Sequence, residues 1–274
     1  MTFIINGKKY RSKKHPMLEL VFQKYFNSSS PNETIVFYLT DISEAYRELG
    51  MREPASISNT ILDLCRKGNG INSRVPETIS GLGYDLKKKT GPGENGKNCA
   101  GEFVYVGVGN ELNSWLRWPE KMSEIVIDSS PIPSLVRRLI RKDESGLFSV
   151  IDYLDILPKV LGCDVYRIQN PMKWQPNEID GFYASNINGD TVVFPIEAKA
   201  LTTRDDVNLD QMEGAFRTVL HKLDKLNLNV DVRQIAVRMI KNGIDIAIFP
   251  ENLAPIEPDR YVRVKFNPVI ENWK

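Results

Sequence analysis

Apolar and polar positions change period several times along the chain, and each change marks an element. Phe3-Ile4-Ile5 reads as a short strand before a turn at Asn6-Gly7. From His15-Pro16, the apolar residues Met17, Leu18, Leu20, Val21, Tyr25 and Phe26 follow helical spacing until Ser28-Ser29-Ser30-Pro31-Asn32 breaks the run. Thr40 or Asp41 caps a helix that stops at Gly50, and Pro54 opens another with Ile57, Ile61, Leu62, Leu64 and Cys65 as its apolar positions and Gly68 as its stop. Residues 83–89 and 102–108 are strand-like and flank a Gly/Pro/Asn-rich tip from Thr90 to Gly101.

The second half has a different rhythm. Pro133 starts a helix with Leu135, Val136, Leu139 and Ile140 on one side and Arg137, Arg138 and Arg141 exposed. A helix over about 146–160 precedes a strand at 163–169. Residues 177–183 and 192–199 are rich in β-branched and aromatic side chains and enclose Asn186, Asn188, Gly189 and Asp190, so they form a hairpin. An amphipathic helix over 209–226 and strands at 232–240, 244–249 and 262–266 complete the pattern. The fold class is α/β (α+β): a mixed sheet flanked by helices, with a smaller helix-and-hairpin domain in front. The domains expected are 1–128 and 129–274, with Trp115, Trp118, Pro119, Pro131 and Pro133 around the junction and the tryptophans packing between domains.

Composition narrows the function classes. The 42% hydrophobic fraction supports a real core, and a net charge of +1 neither marks nor excludes a nucleic-acid binder. Cys65, Cys99 and Cys163 are widely spaced and only His15 and His221 are present, which disfavours zinc sites, disulfide frameworks and His-dependent triads. Early lysines and the lack of a long apolar run predict a cytoplasmic protein with no membrane partner.

The hairpin carries the candidate chemistry. Alternation puts Glu178 and Asp180 on one face of the first strand and Glu197 and Lys199 on one face of the second, with Ile179, Phe194, Ile196 and Ala198 pointing the other way. If the acidic faces meet, two carboxylates converge beside a lysine in otherwise apolar surroundings. Such charges are costly unless paired or metal-bound. Oxygen donors of this kind suit Mg²⁺, with Mn²⁺ as a substitute. The plainer alternative is an ion pair between Lys199 and one of the acids.

These residues resemble the active site of the PD-(D/E)XK nuclease superfamily, the restriction-endonuclease-like fold. Asp180 matches the first acid and Glu197-Ala198-Lys199 matches (D/E)-x-K, while Glu-Ile-Asp stands where Pro-Asp is common. The resemblance covers about residues 143–250 and implies metal ligation by Asp180 and Glu197. It implies further roles for Glu178, for an acid on the preceding helix (Glu144, with Asp152 and Asp155 competing) and for Gln211 on the following helix. It also implies in-line phosphodiester hydrolysis that leaves 5′-phosphate ends.

The first half fits that expectation. Two helices joined near Gly50–Glu53 form a helix–turn–helix pattern, with Ser56, Ser58, Asn59 and Thr60 near the start of the second helix. The hairpin after it gives a winged-helix layout, with Lys87, Lys88, Lys89 and Lys97 on the wing for phosphate contact. The expectation is a Mg²⁺-dependent endonuclease acting on double-stranded DNA. A type II restriction enzyme is favoured because no GxxxxGK motif followed by Ser or Thr supplies an ATPase. Cutting both strands calls for a homodimer by analogy. The alternatives are a structure-specific repair or recombination nuclease and a non-enzymatic winged-helix regulator.

Overall fold

The computed structural model describes residues 3–5, 7–10, 12, 14–28, 30, 32–65, 75–91, 93, 96–109, 112, 114–174, 177–201 and 206–273. The predicted stop at Gly68, the Asn6 half of the first turn, Pro31 in the first helix-breaking run and Pro176 ahead of the hairpin lie outside the described residues. The chain divides into two compact units, Met1–Ser114 and Trp115–Lys274.

In the first unit, β1 (Phe3–Ile5) pairs with β2 (Lys8–Tyr10). The helix α1 (His15–Tyr25) has Pro16 in its first turn, where a missing N–H costs nothing, and buries Met17, Leu18, Val21 and Phe22. Next come β3 (Ile35–Tyr38), α2 (Leu39–Glu48), α3 (Ile57–Cys65), α4 (Glu77–Ser80), β4 (Tyr84–Lys88) and β5 (Cys99–Tyr105). The sequence pattern announces neither β3 nor α4. The strands form an antiparallel sheet in the order β3-β5-β4. Phe22, Phe37, Ile42, Ile61, Leu64, Tyr84 and Phe103 fill the core beneath it.

Two helix starts differ from expectation. Asp41 sits inside the first turn of α2 and accepts the Tyr38 N–H at 2.8 Å, so the helix begins before Thr40. Pro54 does not open α3; Ser56 does, its Oγ accepting the Asn59 N–H at 3.2 Å. The stop at Gly50 holds, with φ +62°.

The second unit contains β6 (Ser123–Asp128), α5 (Ser134–Leu139), α6 (Glu144–Tyr153), α7 (Ile156–Leu161), β7 (Tyr166–Gln169), β8 (Met172–Trp174), β9 (Asn177–Ile179), β10 (Gly181–Ile187), β11 (Asp190–Lys199), α8 (Leu209–Lys225), β12 (Asp231–Ile240), β13 (Gly243–Glu251), β14 (Arg260–Asn267) and a final 3₁₀ turn, Glu271–Trp273. Seven strands make one mixed sheet, ordered β6-β14-β13-β12-β11-β10-β7, and β8 pairs with β9 separately. The pairs β11–β12 and β14–β6 are parallel; the others are antiparallel. Alternate residues feed two cores. Phe194, Ile196, Ala198, Val237, Ile246 and Val264 pack with α6 and α7 on one face. Phe182, Val193 and Val232 pack against Ala215, Phe216 and Val219 of α8 on the other. The second half is therefore a mixed sheet flanked by helices. No helix among the described residues is long and apolar enough to cross a membrane.

Several expectations need correction. The second unit begins at Trp115 rather than at 129, because β6 pairs with β14 inside its sheet. Trp118 packs within that unit: its Nε1–H donates to Asp206 Oδ1 at 2.8 Å, and its ring lies 4.5 Å from the Arg238 guanidinium. The expected 146–160 helix breaks at Asp155, which has φ +49°. On α5, Leu135 and Leu139 face solvent, while Arg137 Nη1 donates to the carbonyls of Ser129 and Ile132. The basic side is thus partly used to tie the chain down.

One charged row crosses the sheet. Lys199, Arg238, Asp245, Arg263 and Glu124 are register partners on five successive strands. Asp245 is 0% exposed and accepts from Arg238 (2.9 Å) and from Arg263 (2.7 Å). Removing this buried carboxylate takes the counter-ion from Arg263 and leaves Arg238 with Asp206 alone, at 3.1 Å. Asp245→Ala is expected to cost about 3 kcal/mol, read as a lower urea-unfolding midpoint of the full chain.

Candidate active site

The chain bends at Asp180, between β9 and β10, and the bend sets the geometry of the site. Because β9 leaves the main sheet to pair with β8, alternation does not run through residues 178–182. Ile179 therefore packs with α8, on the side opposite to Phe194, Ile196 and Ala198. Glu178 is exposed and Asp180 half-buried, and the two line the same cleft, with Ile179 between them turned the other way. Gly181 is the register partner of Ile196, which carries the Asp180 side chain onto the end of β11. Its Oδ2 accepts the Ala198 N–H at 2.8 Å, the amide between Glu197 and Lys199.

Glu197 is 4% exposed, and its Oε1 accepts from Lys199 Nζ at 2.5 Å. Burial and the charge of Glu197 push the Asp180 carboxyl up to about 8, against the pull of the Ala198 N–H and the Lys199 ammonium. Burial works to lower Lys199, but Glu197 and Asp180 outweigh it and hold the ammonium above its usual range. Asp180, Glu197 and Lys199 thus form one electrostatic unit.

Glu144 stands in the first turn of α6, behind the Asp143 cap that accepts the Gly146 N–H at 2.9 Å. It lines a cleft of about 360 Å³ with Asp180, Glu178, Phe148, Ser149, Asn170 and Arg167. The spacing of this cleft depends on a glycine: a Cβ at Gly181 would lie 2.4 Å from the Phe148 ring of α6. The competitors of Glu144 are committed elsewhere. Asp152 accepts from Tyr183 Oη at 3.0 Å and from Arg167 Nη1 at 2.7 Å, and burial raises its carboxyl. Asp152 and Asp155 line a neighbouring cavity of about 410 Å³, together with Tyr153, Tyr183 and Arg167.

Gln211 is in the first turn of α8, its backbone N–H capped by Asn208 Oδ1 at 3.0 Å. Among the described residues, no hydrogen bond joins its side chain to Asp180, Glu197 or Lys199. Nor do the described residues contain three or more His, Cys, Asp or Glu side chains grouped to hold a metal. The expected set of Asp180, Glu197, Glu178 and Glu144 is therefore not a closed cage. The Asp180–Glu197 pair offers oxygen donors alone, and the repulsion between the two carboxylates when both are ionised is what a hard divalent cation would offset. A cation held there would need further oxygens from water or substrate.

In the first unit, Ser56 and Asn59 of the second-helix set are exposed and Ser58 is half-buried. Thr60 is buried and donates to the Ser56 carbonyl at 3.0 Å, so it cannot reach a ligand. Lys87 and Lys89 both turn to Glu102, at 3.7 and 2.8 Å, which offsets part of the expected basic wing; Lys88 is half-buried and Lys97 is exposed. Arg167 and Asp152 are the cleft-side residues that sequence reasoning did not join. Fifteen residues separate them and no local period links them.

The folded Asp180 keeps a proton that the unfolded chain loses near pH 4. Between about pH 4 and about pH 8 its contribution to stability therefore falls as pH rises. In EDTA, thermal melts of the wild type should show that loss, and Asp180→Asn should remove most of it and be the more stable chain at pH 8.

No family model matches the chain, and no curated protein or solved structure matches it significantly, so the chemistry of the site rests on its own residues.

Proposed function

We propose that the protein is a Mg²⁺-dependent DNA endonuclease, with Mn²⁺ able to substitute, and within that class a site-specific restriction enzyme. One observation carries the reading. Asp180 is hydrogen-bonded to the amide between Glu197 and Lys199, so two carboxylates and an ammonium meet at the end of a buried strand beside a cleft that Glu144 also lines. A plain ion pair needs one acid; here a second is held in place although burial and its neighbour disfavour its charge.

The surroundings support the resemblance to PD-(D/E)XK nucleases. An acid-bearing helix, α6, is followed by α7, β7, the short β8–β9 pair, the β10–β11 hairpin, α8 and β12 in that order. After the β1–β2 pair the first unit runs helix, strand, three helices (the last, α4, of four residues) and hairpin, with its sheet ordered β3-β5-β4, which supports a winged-helix reading and a DNA duplex as partner. Ser56, Ser58 and Asn59 are its candidate contacts.

A bound Mg²⁺ would supply Lewis-acid activation of the attacking water and offset charge on the scissile phosphate. Asp180 and Glu197 would hold it by their carboxylate oxygens, with Glu144 and Glu178 at the margin of the cleft. The ammonium of Lys199 is held above its usual range, so it keeps its proton near neutral pH. Its part is therefore to stabilise charge developing on phosphate oxygen, not to remove a proton from water. Cutting both strands of a duplex would use two copies of the site, hence a homodimer.

Supercoiled plasmid should be nicked or linearised with Mg²⁺ and left intact in EDTA. Lys199→Ala and Asp180→Asn should each lower the rate by on the order of 10²-fold or more while leaving DNA binding in place. Fragments with one short common sequence at their ends mark a restriction enzyme, and cutting confined to flaps or junctions marks a repair nuclease. Binding without cutting in both Mg²⁺ and Mn²⁺ would leave a regulator and end the enzyme reading.

A further inference from the structure

The cleft beside Asp180 has an electrostatic difficulty. Glu144, Glu178 and Asp180 line it, and a phosphodiester entering it would meet like charge. Among the described residues that line it, Arg167 is the one cation. Arg167 also lines the neighbouring cavity that holds Asp152 and Tyr153, so with Ser149 it forms the wall shared by the two.

Its placement is built rather than incidental. Arg167 lies on β7, an edge strand exposed along its length. Its side chain is 57% exposed, yet Nη1 is tied to Asp152 Oδ2 at 2.7 Å. Asp152 is itself fixed. Its Oδ1 accepts from Tyr183 Oη at 3.0 Å, Asn170 Nδ2 donates to that same hydroxyl at 2.9 Å, and Asn170 Oδ1 accepts the Phe182 N–H at 3.2 Å. One arm of the guanidinium is therefore anchored through a chain of bonds that ends on β10, the strand that follows Asp180. The rest of the fork is available at the rim, in the planar form that suits a phosphate. So exposed a pair contributes little to stability by itself, which leaves orientation as its evident effect.

We propose that Arg167 is a substrate-binding residue that holds a backbone phosphate of the cleaved DNA strand a few nucleotides from the scissile one, with Asp152 as its positioning residue. The inference rests on the nuclease reading above and adds to it the contact that lets a polyanion enter an acidic cleft. Its reach is consistent. Arg167 is the register partner of Tyr183, three residues along from Asp180. That is roughly 10 Å of strand and about three nucleotide steps of one DNA strand. A DNA strand leaving the cleft over Arg167 continues into the neighbouring cavity.

The experiment compares wild type, Arg167→Gln and Arg167→Lys as full-length proteins, with a short fluorescent duplex taken from plasmid sequence that the wild type cuts. Gln keeps a donor for Asp152 and removes the charge, so folding is spared; Lys restores the charge without the fork. Binding is read by anisotropy in Ca²⁺ between about 50 and about 200 mM salt, where one phosphate contact contributes a slope of about 0.9 in log K against log[salt]. Arg167→Gln should lose about that slope and bind roughly tenfold more weakly, the size of one charge-assisted hydrogen bond. Its KM for cleavage should rise by a similar factor, and Arg167→Lys should recover the slope. A purely structural role would leave the salt slope unchanged. If Arg167→Gln cuts with wild-type KM and wild-type salt slope, the proposal is wrong and the nuclease reading stands. If the wild type neither binds nor cuts DNA, both fall.

Discussion

Asp180 and Glu197 repel each other whenever both are ionised, and the fold holds them together where little water reaches. Much of the second unit can be understood as the means of doing so. The buried run of β11, paired with β10 up to Ile196 and with β12 beyond it, fixes Glu197. The Ala198 amide holds one oxygen of Asp180, and Lys199 answers Glu197. The bend before β10 then becomes necessary, because a straight strand would not turn Asp180 onto that amide. A site of close charges in apolar surroundings responds strongly to any added charge, whether proton, cation or phosphate.

Alternation along residues 192–199 made half of this site legible. Phe194, Ile196 and Ala198 fall on one face and Glu197 and Lys199 on the other, as period two requires. The other half was hidden for a physical reason: alternation assumes an unbroken strand, and the chain bends at Asp180. Ile179 consequently changes core and packs with α8. The same limit applies to helices. The apolar period from 146 to 160 continues across Asp155, but the backbone does not. The partners of Asp152 are invisible to any local pattern, because Tyr183 and Arg167 reach it only through tertiary folding.

Charge in the first unit teaches a related lesson. A run of three lysines at 87–89 looks like a solvated basic edge when read along the chain. Across the strands it is not, since Glu102 on β5 draws in both Lys87 and Lys89. Whatever approaches that edge competes with an internal carboxylate already in place. Thr60 fails as a contact for a simpler reason: its helix turns it into the core.

Gly181 follows Asp180 directly and faces Phe148 on α6, the helix that carries Glu144. The width of the cleft is thus set by an atom that is missing. Acids at 144 and 180 can be exchanged for other groups without moving the walls apart, whereas any side chain at 181 would wedge them. In that sense the glycine is the ruler of the site and the acids are its markings. The gap could be kept while the chemistry within it was rewritten, but a residue as small as alanine at 181 would redraw the gap itself.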